Sequence, residues 1–195
     1  GVFAVLIIFQ PELRKILEKL GCTSFSLTQI RKTVNSIGGN SFENNSKMMR
    51  CINAICDSCA ILSKERTGAL IVIERSTRLG DIIATGTLVD ASPSAELIRN
   101  IFFKYSPLHD GAMVIRDGRV HAAGCFLPLS NNYDISRTLG TRHRAALGMS
   151  EVSDALIVIV SEETGAISVA KDGKQKMLLT ENSLNSILFN ELHSY

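Results

Sequence analysis

The sequence lacks the motifs of several common nucleotide-binding and hydrolytic sites. It contains no G-x-x-x-x-G-K-[ST] phosphate-binding loop and no G-x-G-x-x-G fingerprint following a strand. The G-x-S-x-G motif of serine hydrolases is also absent, since Gly148-Met149-Ser150 has no second glycine at the required place. A nucleotide site in this chain therefore needs a different design.

The composition also lacks the features of nucleic-acid binders, multidomain chains and disulfide scaffolds. The net charge is only +2, so any anionic ligand must be held by a local site. No low-complexity tract or flexible linker interrupts the 195 residues, which favours a single domain. The five cysteines are an odd number and three of them crowd into residues 51–59, which favours a reducing, cytosolic setting.

The chain has no hydrophobic run long enough for a membrane span. Val2 to Phe9 are eight consecutive apolar residues, whereas a bilayer requires about 20 in a helix. A signal peptide is not indicated either, because a basic segment and a cleavage site are missing. Composition leaves two interpretations open: a buried first element of the domain, or the end of a membrane helix.

Hydrophobic periodicity predicts an α/β fold with a mixed central β-sheet flanked by helices. Helices are predicted over 11–20, 27–37 and 46–63, from Ser92-Pro93 to about Tyr105, over 142–149 with Thr141 as the cap, and near the C-terminus. Strands are predicted over 69–73, 86–89, 112–115, 120–127, 155–160, 167–170 and 175–179. Turns at Asp117-Gly118 and Asp172-Gly173 predict two hairpins.

The first candidate site is His109-Asp110-Gly111-Ala112, between a predicted helix and a predicted buried strand. A glycine at this position lets a ligand approach the backbone, and the carboxylate is held at the edge of the sheet. The segment suits catalysis. Taken alone, it also fits a turn in which the backbone satisfies the aspartate.

The second candidate site is Thr141-Arg142-His143-Arg144, at a predicted helix N-terminus. Backbone N–H groups, a hydroxyl and two guanidinium groups converge there, which suits a triphosphate. A solvated basic first turn is the alternative. Cations at a helix N-terminus oppose the helix dipole, however, so an anionic ligand explains the pattern better.

The third candidate site is Ser161-Glu162-Glu163, which follows the predicted buried strand 155–160. Open α/β sheets usually bind ligands at the carboxyl ends of their strands. The serine hydroxyl can meet a phosphate, and a glutamate can help to hold Mg²⁺ or Mn²⁺. An acidic loop facing water is the alternative.

Cys56 and Cys59 match the C-x-x-C pattern of metal and redox sites. Both fall on the apolar face of the predicted helix 46–63, and no second pair of cysteines or histidines completes a zinc set. We therefore expect both thiols to pack in the core.

Taken together and in this order, the three candidate sites resemble those of the diadenylate cyclase (DAC) domain family. The resemblance extends to residues 9–14, to Gly86-Thr87 with Asp90, and to Phe126-Leu127-Pro128-Leu129, and so covers most of the chain. Within the family, the chain looks like the membrane-anchored CdaA type, in which three transmembrane helices precede the DAC domain.

This resemblance implies a domain division and a location. Residues 1–20 are expected to be the end of the membrane segment and a connecting helix, and residues 21–195 the DAC catalytic domain. The full-length protein is expected in the cell membrane with its catalytic domain in the cytoplasm, and the fragment described by this sequence is expected to be soluble.

The resemblance also implies an activity, the condensation of two ATP molecules into cyclic di-AMP with release of two pyrophosphates. It implies Mn²⁺ or Mg²⁺ as cofactor with His109 as a metal ligand. Asp110 is expected to engage and help deprotonate the ribose 3′-hydroxyl, with catalytic support from Arg142 and Glu162. The expected substrate-binding residues are Gly111 and Ala112 as the floor, Leu127 against adenine, and Thr141, Arg142, Arg144 and Ser161 on the phosphates.

A head-to-head homodimer is expected to be the active species. Each 3′-oxygen must attack the α-phosphate of the other ATP, and two identical sites facing each other across a twofold axis match the symmetry of the product. A membrane-bound regulator and phosphoglucosamine mutase are partners implied by the resemblance alone. No nucleic-acid partner is expected.

Two other functions stay open. A metal-dependent phosphohydrolase would use His109 and Asp110 as an HD-type dyad, although such enzymes place these residues on helices with further metal ligands. A non-catalytic nucleotide sensor would bind ATP or cyclic di-AMP with the same residues and form no product.

Overall fold

The computed structural model describes residues 40–130 and 140–193. The chain divides into two compact units, Gly1–Glu43 and Asn44–Tyr195, and the described residues belong almost entirely to the second. The helices predicted over 11–20 and 27–37, and the predicted boundary after residue 20, lie outside the described residues. Within the described ranges, no helix has both the length and the apolar character required to cross a membrane.

The described residues form five helices and seven strands. The helices are α1 (Asn40–Glu65), α2 (Gly80–Ile83), α3 (Ala95–Phe102), α4 (Thr141–Val152) and α5 (Glu181–His193). The strands are β1 (Ala69–Ile73), β2 (Thr87–Ala91), β3 (Ala112–Arg116), β4 (Arg119–Cys125), β5 (Leu156–Val160), β6 (Ile167–Lys171) and β7 (Lys174–Leu179).

All seven strands form one sheet in the order β2-β4-β3-β1-β5-β6-β7. The central neighbours β1 and β3 are parallel, and every other neighbouring pair is antiparallel. The prediction of an α/β fold with a mixed sheet is therefore confirmed.

The central strands are buried on both faces, which explains why they are continuous apolar runs. In β1, Ala69, Ile71 and Ile73 contact a core that also contains residues of α1, α3 and α5. Leu70 and Val72 alternate with them and face a second core, to which α2 and α4 contribute. Helices thus cover both faces of the sheet.

Both predicted hairpins are confirmed. Asp117 and Gly118 have φ angles of 51° and 70°, and Asp172 and Gly173 have φ angles of 51° and 69°. Two successive residues with positive φ are the requirement of the type I′ turn, whose twist matches that of the flanking strands. The two turns join β3 to β4 and β6 to β7.

Two predicted helix caps are wrong. The N-cap of α3 is Ser94 rather than Ser92, because the Ser94 hydroxyl accepts a hydrogen bond from the Leu97 amide at 3.2 Å. The N-cap of α4 is Gly140, which has no side chain to bond the helix, and Thr141 is the first helical residue. The Thr141 side chain is therefore placed at the helix N-terminus without serving as its cap.

The cysteines of α1 pack in the core, as predicted. Cys56 is 3% exposed and Cys59 is fully buried. Burial raises the pKa of Cys56 to about 11 and raises the pKa of Cys59 further still. Both thiols are therefore protonated at neutral pH and unreactive.

A buried carboxylate links the C-terminal ends of the parallel strands β1 and β3 through hydrogen bonds. Glu74 follows β1, and its side chain is 1% exposed. Its two oxygens accept hydrogen bonds from Arg116 at 2.7 Å each, from Arg78 at 2.8 Å and from the Leu79 amide at 2.8 Å. Burial acts to raise the pKa of Glu74, but the hydrogen bonds outweigh it and hold this pKa below its usual 4.5.

We expect Glu74→Gln to destabilise the fold by about 3 kcal/mol at pH 7, because the change leaves the half-buried Arg116 beside a neutral amide. A carboxyl whose pKa is lowered by folding stabilises the protein above its unfolded pKa, and this contribution is lost as the pH falls through the folded pKa. The variant should therefore lose less stability than the parent as the pH falls below about 4.5. Urea unfolding at pH 7 and at a series of lower pH values measures both effects.

Glu65→Gln is the matched control. Glu65 pairs with Arg99 at 2.8 Å on the surface, where its side chain is 47% exposed, so less than about 1 kcal/mol should be lost. Equal acid sensitivity of Glu74→Gln and the parent protein would show that the Glu74 carboxylate does not contribute as described.

Candidate active site

An open cavity of about 480 Å³ lies at the ends of the inner strands of the sheet. Seven of the residues predicted for the site line it: His109, Asp110, Gly111, Leu127, Thr141, Arg142 and Glu162. The three candidate motifs, which are separated by up to about 50 residues in sequence, thus each contribute to one cavity.

Strand direction explains why these segments meet. The first residue of β1 pairs with the last residue of β5, as Ala69 with Val160. In the same way, Ala112 at the start of β3 pairs with Cys125 at the end of β4. The amino ends of the two parallel strands therefore lie beside the carboxyl ends of their antiparallel neighbours, and the connecting residues of all four strands reach the cavity.

Gly111 is required by a close approach of two strands. Its φ angle is +115°, which other residues rarely adopt, and a Cβ there would lie 2.8 Å from the Cys125 carbonyl oxygen. Without a side chain, the segment before β3 lies directly against the end of β4. Asp110 is exposed at this point and lines the cavity.

The ring of His109 is held in a defined tautomer. Its Nδ1 lies 2.6 Å from the carbonyl oxygen of Ser106, and since a carbonyl can only accept, Nδ1 carries the proton. In the neutral ring, Nε2 then carries the lone pair, which is the arrangement of a metal-ligating histidine whose other nitrogen is fixed by a hydrogen bond.

The donors at the cavity fit a divalent cation whose coordination is completed by the substrate. No group of three or more His, Cys, Asp and Glu side chains within residues 40–130 and 140–193 is arranged to hold a metal by itself. His109, Asp110 and Glu162 nevertheless all line the cavity. Mg²⁺ in nucleotide sites is commonly held by one or two carboxylates together with phosphate oxygens and water.

The four residues 141–144 at the N-terminus of α4 lie in three different environments: the cavity, the protein interior and the exposed surface. Thr141 and Arg142 line the cavity, whereas His143 is buried and only 6% exposed. Burial lowers the pKa of His143, although the nearby Glu163 opposes this shift. Arg144 is exposed and is not among the residues that line the cavity. The first turn of α4 contains no acidic residue, so its N-terminus is positive.

Arg142 and Glu162 form an ion pair at the mouth of the cavity. Nη1 of Arg142 donates to Oε2 of Glu162 at 2.6 Å, and the two side chains are 21% and 62% exposed. The pair joins the start of α4 to the loop that follows β5. A pair with this exposure contributes about 1 kcal/mol at most, so an anionic ligand can displace the carboxylate.

Ala112 and Ser161 are the other predicted site residues that do not line the cavity. Ala112 is fully buried within β3. The Ser161 hydroxyl accepts hydrogen bonds from the amides of Glu163 and Thr164 at 3.3 and 3.2 Å, which shapes the loop carrying Glu162. Each residue is next in sequence to one that lines the cavity, Gly111 or Glu162, but neither lines the cavity itself.

The wall of the cavity that includes Leu127 is held against α4. A Cβ on Gly148 would lie 2.3 Å from the Pro128 carbonyl oxygen, so only a glycine lets the wall approach the helix this closely. The Ser130 amide donates to the Arg144 carbonyl at 3.1 Å, and its hydroxyl donates to Glu151 at 2.6 Å. The position of Leu127 is thus set by α4, which also carries Arg142.

Sequence reasoning assigned no role to several residues that line the cavity. They are Leu70, Cys125, Phe126, Leu129 and Ala145. The alternation of β1 places Leu70 on the face that α4 covers, which is a signal that could have identified it. Burial raises the pKa of Cys125 to about 11, so this thiol is neutral.

Comparison with known families agrees with the geometry of the cavity. Residues 56–175, which contain all three motifs, match the family described as DAC: DisA bacterial checkpoint controller nucleotide-binding. The chain belongs to the DAC family.

Characterised relatives of this DAC chain match almost its whole length. It is 47% identical over 188 residues to cyclic di-AMP synthase CdaA of Bacillus subtilis, covering 96% of this chain and 65% of that protein. It is 42% identical over 192 residues to a diadenylate cyclase of Listeria monocytogenes, covering 98% of this chain and 66% of that protein. The chain therefore spans just under two thirds of the length of both relatives.

Solved structures confirm the DAC fold. A double mutant of DacA from Staphylococcus aureus superposes with a TM-score of 0.71 at 47% identity, over 72% of this chain and 94% of that one. A hypothetical membrane spanning protein from Bacillus cereus gives a TM-score of 0.64 at 43% identity, over 66% of this chain and 63% of that one.

Proposed function

We propose that this chain is the catalytic part of a diadenylate cyclase, which condenses two ATP molecules into cyclic di-AMP and two pyrophosphates. The observation that carries the proposal is the cavity in which Asp110 and Arg142 meet within a DAC-family chain. The names of the relatives in Bacillus subtilis and Listeria monocytogenes support the same activity.

Each proposed role follows from a position on the cavity wall. Asp110 accepts the proton of the ribose 3′-hydroxyl, and Gly111 lets the nucleotide approach the backbone. Thr141 and Arg142 bind the phosphates at the positive end of α4. Leu127 packs against the adenine. Most of the catalytic work in phosphoryl transfer is alignment and charge stabilisation, which these groups supply.

The other predicted substrate contacts remain proposals that the cavity supports less directly. Arg144 lies two residues after Arg142 in the first turn of α4, is exposed, and carries a charge suited to the outer phosphates. Ser161 would bond a phosphate only if its hydroxyl reoriented from the loop amides it now accepts. Ala112 contributes to the floor through its backbone beneath Gly111.

His109, with support from Glu162, is proposed to hold Mn²⁺ or Mg²⁺ together with the phosphates of ATP. A cation at this position would neutralise negative charge that develops around the α-phosphorus. The protein itself contributes the fixed lone pair of His109 and the carboxylates of Asp110 and Glu162.

Identification of the nucleotide product tests the proposed function. The purified protein is incubated with ATP and Mn²⁺, and products are separated by chromatography. Cyclic di-AMP with pyrophosphate in a ratio of one to two is the expected result. ADP or AMP without cyclic di-AMP would indicate the phosphohydrolase, and tight ATP binding without product at every protein concentration would indicate the sensor.

We expect the specific activity to rise with protein concentration, because two sites on separate copies must hold the two ATP molecules for reciprocal attack. The activity per mole should reach a plateau at the concentration where the homodimer is saturated. Sedimentation velocity at the same concentrations measures the dimer fraction. Activity per mole that stays constant while the dimer dissociates would overturn the head-to-head arrangement.

The family membership also supports proposals for the full-length protein. These are attachment to the cell membrane through a segment whose end, with a connecting helix, is residues 1–20, a catalytic domain in the cytoplasm, and interaction with a membrane-bound regulator and phosphoglucosamine mutase. Fractionation of cells expressing the full-length protein, followed by affinity capture with each candidate partner, tests them.

A further inference from the structure

We propose that Gly68 is a positioning residue for Arg142. The inference rests on the proposed nucleotide function and adds to it a residue that determines where the phosphate-binding guanidinium lies. In this proposal the absence of a side chain at Gly68 gives Arg142 its place against the start of β1.

The contacts at Gly68 are unusually close. A Cβ built on this residue would lie 2.7 Å from Nη1 and 2.9 Å from Cζ of Arg142, and 3.0 Å from Oε2 of Glu162. The ion pair of Arg142 and Glu162 therefore occupies the space that any other residue at position 68 would fill.

Gly68 lies next to the cavity. It directly precedes β1, and a Cβ added to it would meet Arg142 and Glu162, both of which line the cavity. The Thr67 amide donates to the Leu62 carbonyl at 2.9 Å, which ties the preceding residue to the end of α1. The Gly68 backbone, which lies between this tie and β1, is the surface that the guanidinium approaches.

Position 68 requires a glycine because of the side chains that lie against it and not because of its backbone conformation. Gly68 does not have the left-handed φ angle seen at Gly111, so alanine can adopt its conformation. At Gly148 an added Cβ would meet backbone atoms, whereas at Gly68 it would meet the ends of two side chains that can move. An alanine at position 68 should therefore fold normally and displace the Arg142–Glu162 pair.

The displacement is large enough to affect catalysis. To reach an ordinary contact near 3.4 Å, Nη1 of Arg142 must move by roughly 0.7 Å. A misplacement of about 1 Å can cost about 100-fold in rate when a reaction depends on alignment. We therefore expect Gly68→Ala to lower kcat/KM for cyclic di-AMP formation by about tenfold or more.

The experiment compares Gly68→Ala with Gly80→Ala, a control at which an added Cβ meets nothing within 4 Å. The measurements are the Tm, the affinity for a non-hydrolysable ATP analogue by calorimetry, and kcat/KM. Gly68→Ala should keep or slightly raise the Tm while binding and turnover fall, and Gly80→Ala should match the parent in all three. Parental affinity and turnover in Gly68→Ala would overturn the inference, as would a Tm that falls together with them.

A double-mutant cycle tests whether Gly68 acts through Arg142. In an Arg142→Ala background, Gly68→Ala should change the affinity for the ATP analogue by less than about twofold, since the guanidinium it displaces is gone. An equal effect in both backgrounds would show a role independent of Arg142. The parent protein separates this inference from the proposed function. If the parent makes no cyclic di-AMP, the proposed function fails. If the parent makes cyclic di-AMP and Gly68→Ala makes it equally well, only the inference about Gly68 fails.

Discussion

Replacement of Asp110 by asparagine is expected to lower the rate of cyclic di-AMP formation by about 10²- to 10⁴-fold, the usual contribution of a positioned general base. Asparagine has nearly the same shape as aspartate but cannot accept the proton of the 3′-hydroxyl. Because Asp110 is exposed within the cavity, the change should leave the fold intact. ATP binding should be largely retained, since the phosphates are held by α4.

The measurement is single-turnover product formation together with calorimetric binding of ATP. Asp117→Asn is the matched control, since Asp117 is 79% exposed in the turn between β3 and β4 and asparagine tolerates its positive φ. That variant should retain parental activity. Turnover by Asp110→Asn at the parental rate would contradict the role assigned to the carboxylate.

Arg142→Ala is expected to lower kcat/KM by about 10²- to 10³-fold, the usual effect of removing one preorganised donor from a charge-stabilising site. Arg142 is the guanidinium that lines the cavity at the N-terminus of α4, and its loss also leaves Glu162 without its partner. The negative charge of Glu162 would then act against the phosphates. Both the binding of ATP and its turnover should therefore weaken.

Arg119→Ala serves as the control for this change. Arg119 pairs with Asp90 at 2.8 Å on an exposed surface at the start of β4, the end of the strand opposite to the cavity. Steady-state kinetics and ATP binding should be parental in that variant. If Arg142→Ala and Arg119→Ala behave alike, Arg142 does not hold the phosphates.

The central strands could be predicted because burial on both faces leaves a simple pattern. The runs at β1 and β5 contain only apolar residues, and Asp117-Gly118 marks a turn that few other residues can form. Helix starts were harder to predict, because neighbouring serines compete as caps. Ser92 and Ser94 are both suitable residues, and the sequence does not distinguish them, whereas in the structure the Ser94 hydroxyl bonds the Leu97 amide.

The candidate site was predicted as three separate motifs, and its convergence depends on the order of the strands. No local pattern in the sequence says that β1 runs antiparallel to β5 and parallel to β3. That arrangement brings Asp110 and Glu162 to one cavity, and the packing of α4 on the sheet adds Arg142. The same limitation hid Gly68, since its neighbours in space are 74 or more positions away in the chain.

The cavity is built from segments that start at Leu70 and finish at Glu162, contributed by strands across the middle of the sheet. An unfolded chain retains no part of this arrangement, so a nucleotide that bridges the segments recognises the native state alone. Occupancy at 100 times the dissociation constant then adds about 2.7 kcal/mol to the free energy of unfolding. With ATP as the proposed substrate, its supply in a cell would thus also protect the protein from unfolding and proteolysis.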